Sequence, residues 1–165
     1  MWLIFYGVLW GCVIFNLIIS AETNPEKFWD LLLLADPSTA LVEEYLKEGK
    51  LYSATWDDVV VGVFVLIPLE KTLWELKNIA VAPEWQGKGI GKAILVEAIA
   101  AAQALGATAL EVGTGNSSVG QLALYQKAGF RFDRIAKNFF TLNYNDPIFE
   151  NGIQCRDLVI LTRVL

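Results

Sequence analysis

Short apolar runs alternate with polar punctuation along this chain, and the period of each run predicts an element. Asn24-Pro25 marks a helix start, because asparagine caps the first free N–H groups and proline suits the first helical position. That helix should reach about Leu34. Asp36-Pro37 repeats the signal, and Gly49 stops a second helix bearing Leu41, Tyr45 and Leu46. Residues 50–56 read as a strand and Asp57-Asp58 as a short turn. Residues 59–69 form a nearly unbroken apolar run, which suits a central strand that Pro68 should end. Glu70-Lys71 turns into another strand over 72–82. From 89 to 105, helical spacing sets Ile94, Ala98, Ala101 and Leu105 on one face, with Lys88, Lys92 and Gln103 on the other. Gly106 should cap that helix. Further on, the expected order is a strand at 108–112, a loop at 113–118 and a helix at 119–128 ended by Gly129. A strand at 130–141, a loop at 143–152 and a last strand at 155–163 complete it.

The N-terminal run differs from the rest. Residues 2–19 carry no charge, and Asn16 is their only strongly polar side chain. The run is long enough for a membrane span. No Lys or Arg precedes Lys27, so it has neither a signal-peptide n-region nor a positive-inside anchor. Its Trp, Phe, Tyr, Ile and Val content equally suits a buried strand.

Composition narrows the classes. A chain of 165 residues fits one domain with a sizeable core. At 55% hydrophobic and 19% charged it is no disordered tail. A net charge of −5 argues against a sequence-blind nucleic-acid binder, which needs a basic face. The same charge suits a cationic substrate, and equally ordinary solubility. Histidine is absent, which excludes Ser-His-Asp and Cys-His catalysis and histidine zinc sites. Cys12 and Cys155 lie far apart without metal spacing, so no metal and no disulfide framework is expected. That usage points to a reducing, cytoplasmic setting.

Candidate chemistry concentrates between residues 72 and 130. An apolar strand ends at Pro83, and Gln86-Gly87-Lys88-Gly89-Ile90-Gly91-Lys92 leads straight into a helix. Glycines allow a sharp turn and close approach of a ligand to backbone N–H groups. The first helical turn adds unpaired N–H groups and a partial positive charge. The stretch therefore reads as a diphosphate cradle. It is not a Walker loop, since Ala93 stands where a magnesium-binding hydroxyl is needed, nor a dinucleotide fingerprint, whose glycine spacing fails.

Gln86-x-x-Gly89-x-Gly91 fits [QR]-x-x-G-x-[GA], and with Leu122-Ala-Leu-Tyr125-Gln-Lys-Ala-Gly-Phe130 it resembles the GNAT superfamily of N-acetyltransferases. The run from Asp146 to Asp157 looks like a small bacterial branch of that superfamily. The resemblance implies an α/β (α+β) fold of the acyl-CoA N-acyltransferase type, with a mixed sheet of about seven strands flanked by about four helices. Such a domain needs a first strand just before its first helix, and 15–20 is the candidate. The domain would then span residues 15–165. Residues 1–14 would be an apolar extension: an extra strand or helix, an anchor, or a misassigned translation start.

The resemblance also implies acetyl-CoA as co-substrate and a small-molecule or peptide amine as acceptor. Dimers are common among such proteins. Its alternative is a non-catalytic acyl-CoA-binding sensor domain. By matched position, Glu75 would be the base, with a surface ion pair to Lys77 as the competing role. Tyr125 would be the acid at the departing sulfur, with a core tyrosine as the alternative. A backbone N–H at Ile79 would face the thioester oxygen, with Ala80 and Val81 lining the pantetheine arm. Gln86, Gly87, Lys88, Gly89, Ile90, Gly91 and Lys92 would hold the diphosphate. Relatives often carry Asn seven places before the tyrosine, where this chain has Ser118. Asn116 is the substitute cofactor contact, or else a helix cap.

Overall fold

The computed structural model describes residues 17–165, so the extension at 1–14 and the start of the strand expected at 15–20 lie outside it. In chain order come β1 (Ile18–Glu22), α1 (Trp29–Ala35), α2 (Thr39–Leu46), β2 (Lys50–Trp56), β3 (Val59–Pro68) and β4 (Leu73–Val81). Then follow α3 (Ile90–Ala104), β5 (Ala109–Gly115), α4 (Val119–Lys127), β6 (Arg131–Ala136) and α5 (Phe139–Asn143). The chain closes with β7 (Ile148–Glu150), β8 (Ile153–Cys155) and β9 (Leu158–Val164). Seven strands form one mixed sheet in the order β1-β2-β3-β4-β5-β9-β6, while β7 and β8 make a separate hairpin. Among the described residues only β4 and β5 pair in parallel, and α3 makes the crossover between them. No helix among the described residues is long and apolar enough to cross a membrane.

Local chemistry accounts for the early elements. Asn24 Oδ1 accepts from Glu26 N at 3.1 Å, and Pro25–Phe28 makes a 3-10 turn leading into α1. The second helix begins later than Asp36-Pro37 suggested. A residue before proline is pushed out of helical conformation, and Ser38 becomes the cap, accepting from Leu41 N at 3.4 Å. Asp36 instead receives Ser38 N at 3.0 Å.

Both sheet faces are covered. Leu32, Val42 and Tyr45 from α1 and α2 pack on Val63, Val65 and Ala80. On the other face α3 buries Ile90, Ile94, Leu95, Ala98, Ile99 and Ala102 against Phe64, Leu66, Leu76 and Leu110. The buried stripe of α3 thus includes Leu95 and Ile99 and leaves Ala101 and Leu105 only partly buried. Each large side chain so buried stabilises by about 1.5–3 kcal/mol.

The C-terminal third departs most from expectation. The strand expected at 130–141 stops at Ala136, because Asn138 takes a left-handed φ of 61° and starts α5. Asparagine tolerates that conformation, and Asp157 Oδ1 accepts its N–H at 2.8 Å. The expected loop at 143–152 contains β7. Strand β5 runs on to Gly115 because β9 pairs with it over Gly113, Thr114 and Gly115.

One close approach fixes α3 on the sheet. A Cβ on Gly62 would collide with Ala80 O and Ile94 Cδ1. Overpacking of this kind costs about 1–3 kcal/mol. Gly62→Ala should lower the urea midpoint accordingly, and an unchanged midpoint would show that the helix is free to shift.

Candidate active site

Strands β4 and β5 pair only from Leu73 to Leu76 with Ala109 to Val112. Beyond that point β4 continues along β3, and β5 along β9. A bulge between Leu76 and Asn78 inserts Lys77 into β4 where the two strands separate. Bulges bend their strand and add twist, so β4 swings away and a cleft opens. Ala82 N donates to Val61 O at 2.9 Å. Amide direction alternates along a strand, so Ala80 faces β3 while Ile79 and Val81 present their backbone groups to the cleft. Gln86 Nε2 donates to Val81 O at 3.0 Å, which agrees with that phase.

The glycine turn closes one end of the cleft. Gly87 and Gly89 adopt φ of 72° and 88°, and α3 starts with Gly89 as a cap that offers no side chain. No amide from Gly87 to Lys92 donates to an oxygen among the described residues. These N–H groups lie at a helix N-terminus, where the dipole also favours an anion.

A cavity of about 780 Å³ follows the cleft. Ile79, Ala80, Val81, Gln86, Gly87, Gly91 and Tyr125 all line it. The other candidates from the turn do not. Ile90 is buried in the core, Lys92 is exposed, and Lys88 sits over the Trp85 ring at 4.7 Å from its centroid. Gly89 contributes its left-handed turn rather than a wall.

Tyr125 is 4% exposed, with its ring edge-on to Phe130 at 5.9 Å. Burial pushes its phenol up to about 12, so it stays protonated at neutral pH. Its hydroxyl makes no hydrogen bond among the described residues. An uncommitted proton donor therefore borders the cleft.

Glu75 lies elsewhere, in a second cavity of about 500 Å³ that α2, β3, β4 and α5 help to wall. Its Oε1 is 3.3 Å from Lys77 Nζ. The two cavities share Ala35, Lys77, Gly113, Phe140, Tyr144 and Leu158 as walls, so they meet. Beside Glu75 across the sheet stands buried Glu111, which Arg134 neutralises with two bonds of 2.7 Å.

Asn116 is not the cap of α4, and its side chain is engaged with the β8–β9 connection. Its Nδ2 donates to Gln154 O at 3.1 Å, and its Oδ1 accepts from Arg156 N at 2.7 Å and Asp157 N at 2.9 Å. It clamps the β8–β9 connection and stands outside the cavity walls. Ser118 occupies the N-cap position of α4 without a capping bond, its hydroxyl donating to Glu150 Oε2 at 2.5 Å. Glu150 and Cys155 bring the hairpin to the cleft wall. Neither was among the candidates, because nothing in a polar stretch around Asn151-Gly152 announces where a hairpin will dock. Tyr144 is half-buried, held toward Asp36 Oδ1 at 3.4 Å and pushed up to about 12 by burial and then by that carboxylate.

Comparison with known proteins bears on what such a cleft does. A model of the acetyltransferase (GNAT) family matches residues 15–130. The chain is 51% identical over 143 residues to the uncharacterised N-acetyltransferase YvbK of Bacillus subtilis (strain 168), covering 87% of this chain and 92% of that one. It is similar to a GNAT family acetyltransferase from Elizabethkingia anophelis solved with acetyl-CoA bound, at 47% identity and a TM-score of 0.86. That match covers 91% of this chain and 99% of the other. It is also similar to the IAA acetyltransferase of Bacillus cereus, at 45% identity and a TM-score of 0.84, over 91% and 100% of the two chains.

Asn116→Ala removes three hydrogen bonds from the hairpin clamp. We expect a loss of about 1–3 kcal/mol and faster hydrogen exchange across residues 148–157. Unchanged exchange together with weakened coenzyme A binding would instead mark Asn116 as a direct cofactor contact.

Proposed function

As the chain belongs to the acetyltransferase (GNAT) family, we propose that it transfers an acetyl group from acetyl-CoA directly to a primary amine of a small molecule or peptide. The observation that carries this is the row of unpaired amides from Gly87 to Lys92 at the head of α3, beside a cleft between parted strands. Backbone donors left without partners are costly unless solvent or a ligand takes them. A diphosphate is the group whose charge and oxygens match them.

Acetyl-CoA, when bound, supplies an activated thioester. The chain's own groups have separable tasks. Gly87 to Lys92 bind the diphosphate through backbone N–H groups. Val81 and Ile79 offer cleft-facing backbone groups to the extended arm, and Ile79 N–H stabilises charge on the thioester oxygen. Tyr125 donates its phenol hydrogen toward the departing sulfur. Its burial supports a donor role, since a phenol pushed up to about 12 stays protonated and can hydrogen-bond to the sulfur as negative charge develops there. Glu75, in the adjoining cavity, takes a proton from the incoming ammonium directly or through water. A cytoplasmic setting accords with the chain's cysteine usage.

Thiol release from acetyl-CoA across polyamines, amino acids, aminoglycosides, N-terminal peptides and IAA tests the activity. Amine-dependent release should appear with at least one class. Coenzyme A binding with no release from any of them would overturn the proposal. Tyr125→Phe should lower kcat by about 10²-fold with little change in KM for acetyl-CoA, and an unaltered kcat would remove the acid. Glu75→Gln should lower kcat while Lys77→Met lowers it far less. Equal losses in the two variants would reduce Glu75 to half of an ion pair.

A further inference from the structure

We infer that the second cavity accepts a molecule carrying a positive charge in addition to the amine that is acetylated, its body lying against the Tyr144 and Phe140 rings. The inference rests on the proposed function, since it treats that cavity as the acceptor site. At about 500 Å³ the cavity suits a small molecule. Through its shared walls at Lys77 and Tyr144 it opens onto the cleft where buried Tyr125 presents an unpartnered hydroxyl. A molecule held there lies next to the cleft that Tyr125 and Ile79 line.

The charges on its walls do not balance. Asp36, Glu44, Glu48 and Glu75 face Lys47 and Lys77. Lys47 is paired with Glu44 at 2.5 Å and Lys77 with Glu75 at 3.3 Å. Both lysines are thus engaged. Asp36 and Glu48 have no cationic partner among the described residues. Asp36 is the inner of the two, half-buried, and accepts from Ser38 N and from the Tyr144 hydroxyl.

The amine that attacks must be neutral when it does so. It cannot also balance these carboxylates. A second cationic centre can, and a carboxylate-bearing acceptor would meet repulsion instead. The aromatic wall favours the same ligand. Phe140 and Tyr144 stack at 5.6 Å and 27°, and such ring faces attract a cation.

The test uses the full-length chain with acetyl-CoA and matched acceptors that differ only in the second charge. One pair is a butane diamine against the butane amino alcohol; another is p-xylylenediamine against its amino-alcohol analogue. The diamine of each pair should show kcat/KM at least about tenfold higher, the effect of one favourable charge contact near a surface. That ratio should shrink as salt is raised. Asp36→Asn should reduce it to within a few-fold of unity. If that variant melts early, Glu48→Gln, at an exposed site, should reduce it in the same direction. Equal efficiencies within every pair, whether high or low, overturn the inference. A chain that releases no thiol with any amine in the wider panel defeats the proposed function itself, which is a different result.

Discussion

Everything in this molecule turns on the parting of β4 from β5 after the Leu76–Val112 pair. A strand buried in a sheet normally spends its N–H and C=O groups on both neighbours. Here the last part of β4 has a partner on one side only. The bulge at Lys77 directs it away from β5, and several contacts hold it there. Asn78 Nδ2 ties it to Leu32 O at 3.0 Å and to the Tyr45 hydroxyl at 2.8 Å, which anchors α1 and α2 to the displaced strand. Gly62 on β3 lets α3 lie flush against the sheet. Rigid packing on both faces thereby keeps a row of polar groups open to a ligand, and pre-organisation of this sort lowers the ordering cost of binding.

The same geometry sorts charge. One end of the cleft is the head of α3, with free amides and nearby lysines, on a chain whose net charge is −5. The adjoining cavity carries an excess of carboxylates. The amide-rich end and the carboxylate-rich end thus lie in two cavities that share walls. Arg134 contributes to the separation. By neutralising Glu111, the residue beside Glu75 across the sheet, it leaves the unbalanced carboxylates on the walls of the second cavity.

How much of this the sequence disclosed depended on the range of the forces involved. Residues 50–105 could be read because their signals are local: apolar period, proline and glycine punctuation, and the glycine turn itself. The [QR]-x-x-G-x-[GA] spacing and the Tyr125 neighbourhood led to the family on the same basis. What remained hidden was set by distant partners. Asn116 is not the cap of α4, which is Ser118, and its side chain is bonded to three backbone groups of residues 154–157 that no local signal announces. Phe139-Phe140 has the composition of a strand, and a left-handed Asn138 turned it into a helix. Lys88 rests over the Trp85 ring, a contact that its sequence neighbourhood does not announce.

The division of labour along the chain has a consequence for specificity. Residues 73–130 supply the strand, the turn, the helix head and Tyr125, which together shape the cleft. The second cavity draws instead on α2 and on the segment from Phe139 to Tyr144. That segment is held by contacts of its own, with Phe140 N donating to Arg156 O at 2.9 Å and Tyr144 reaching Asp36. Substitutions there would alter the second cavity while leaving the amide row and β4 in place. Function on a shared fold varies most easily where a loop-borne wall stands on a fixed scaffold. Phe140 and Tyr144, as walls common to both cavities, are where a substitution would reshape the cleft and the second cavity together.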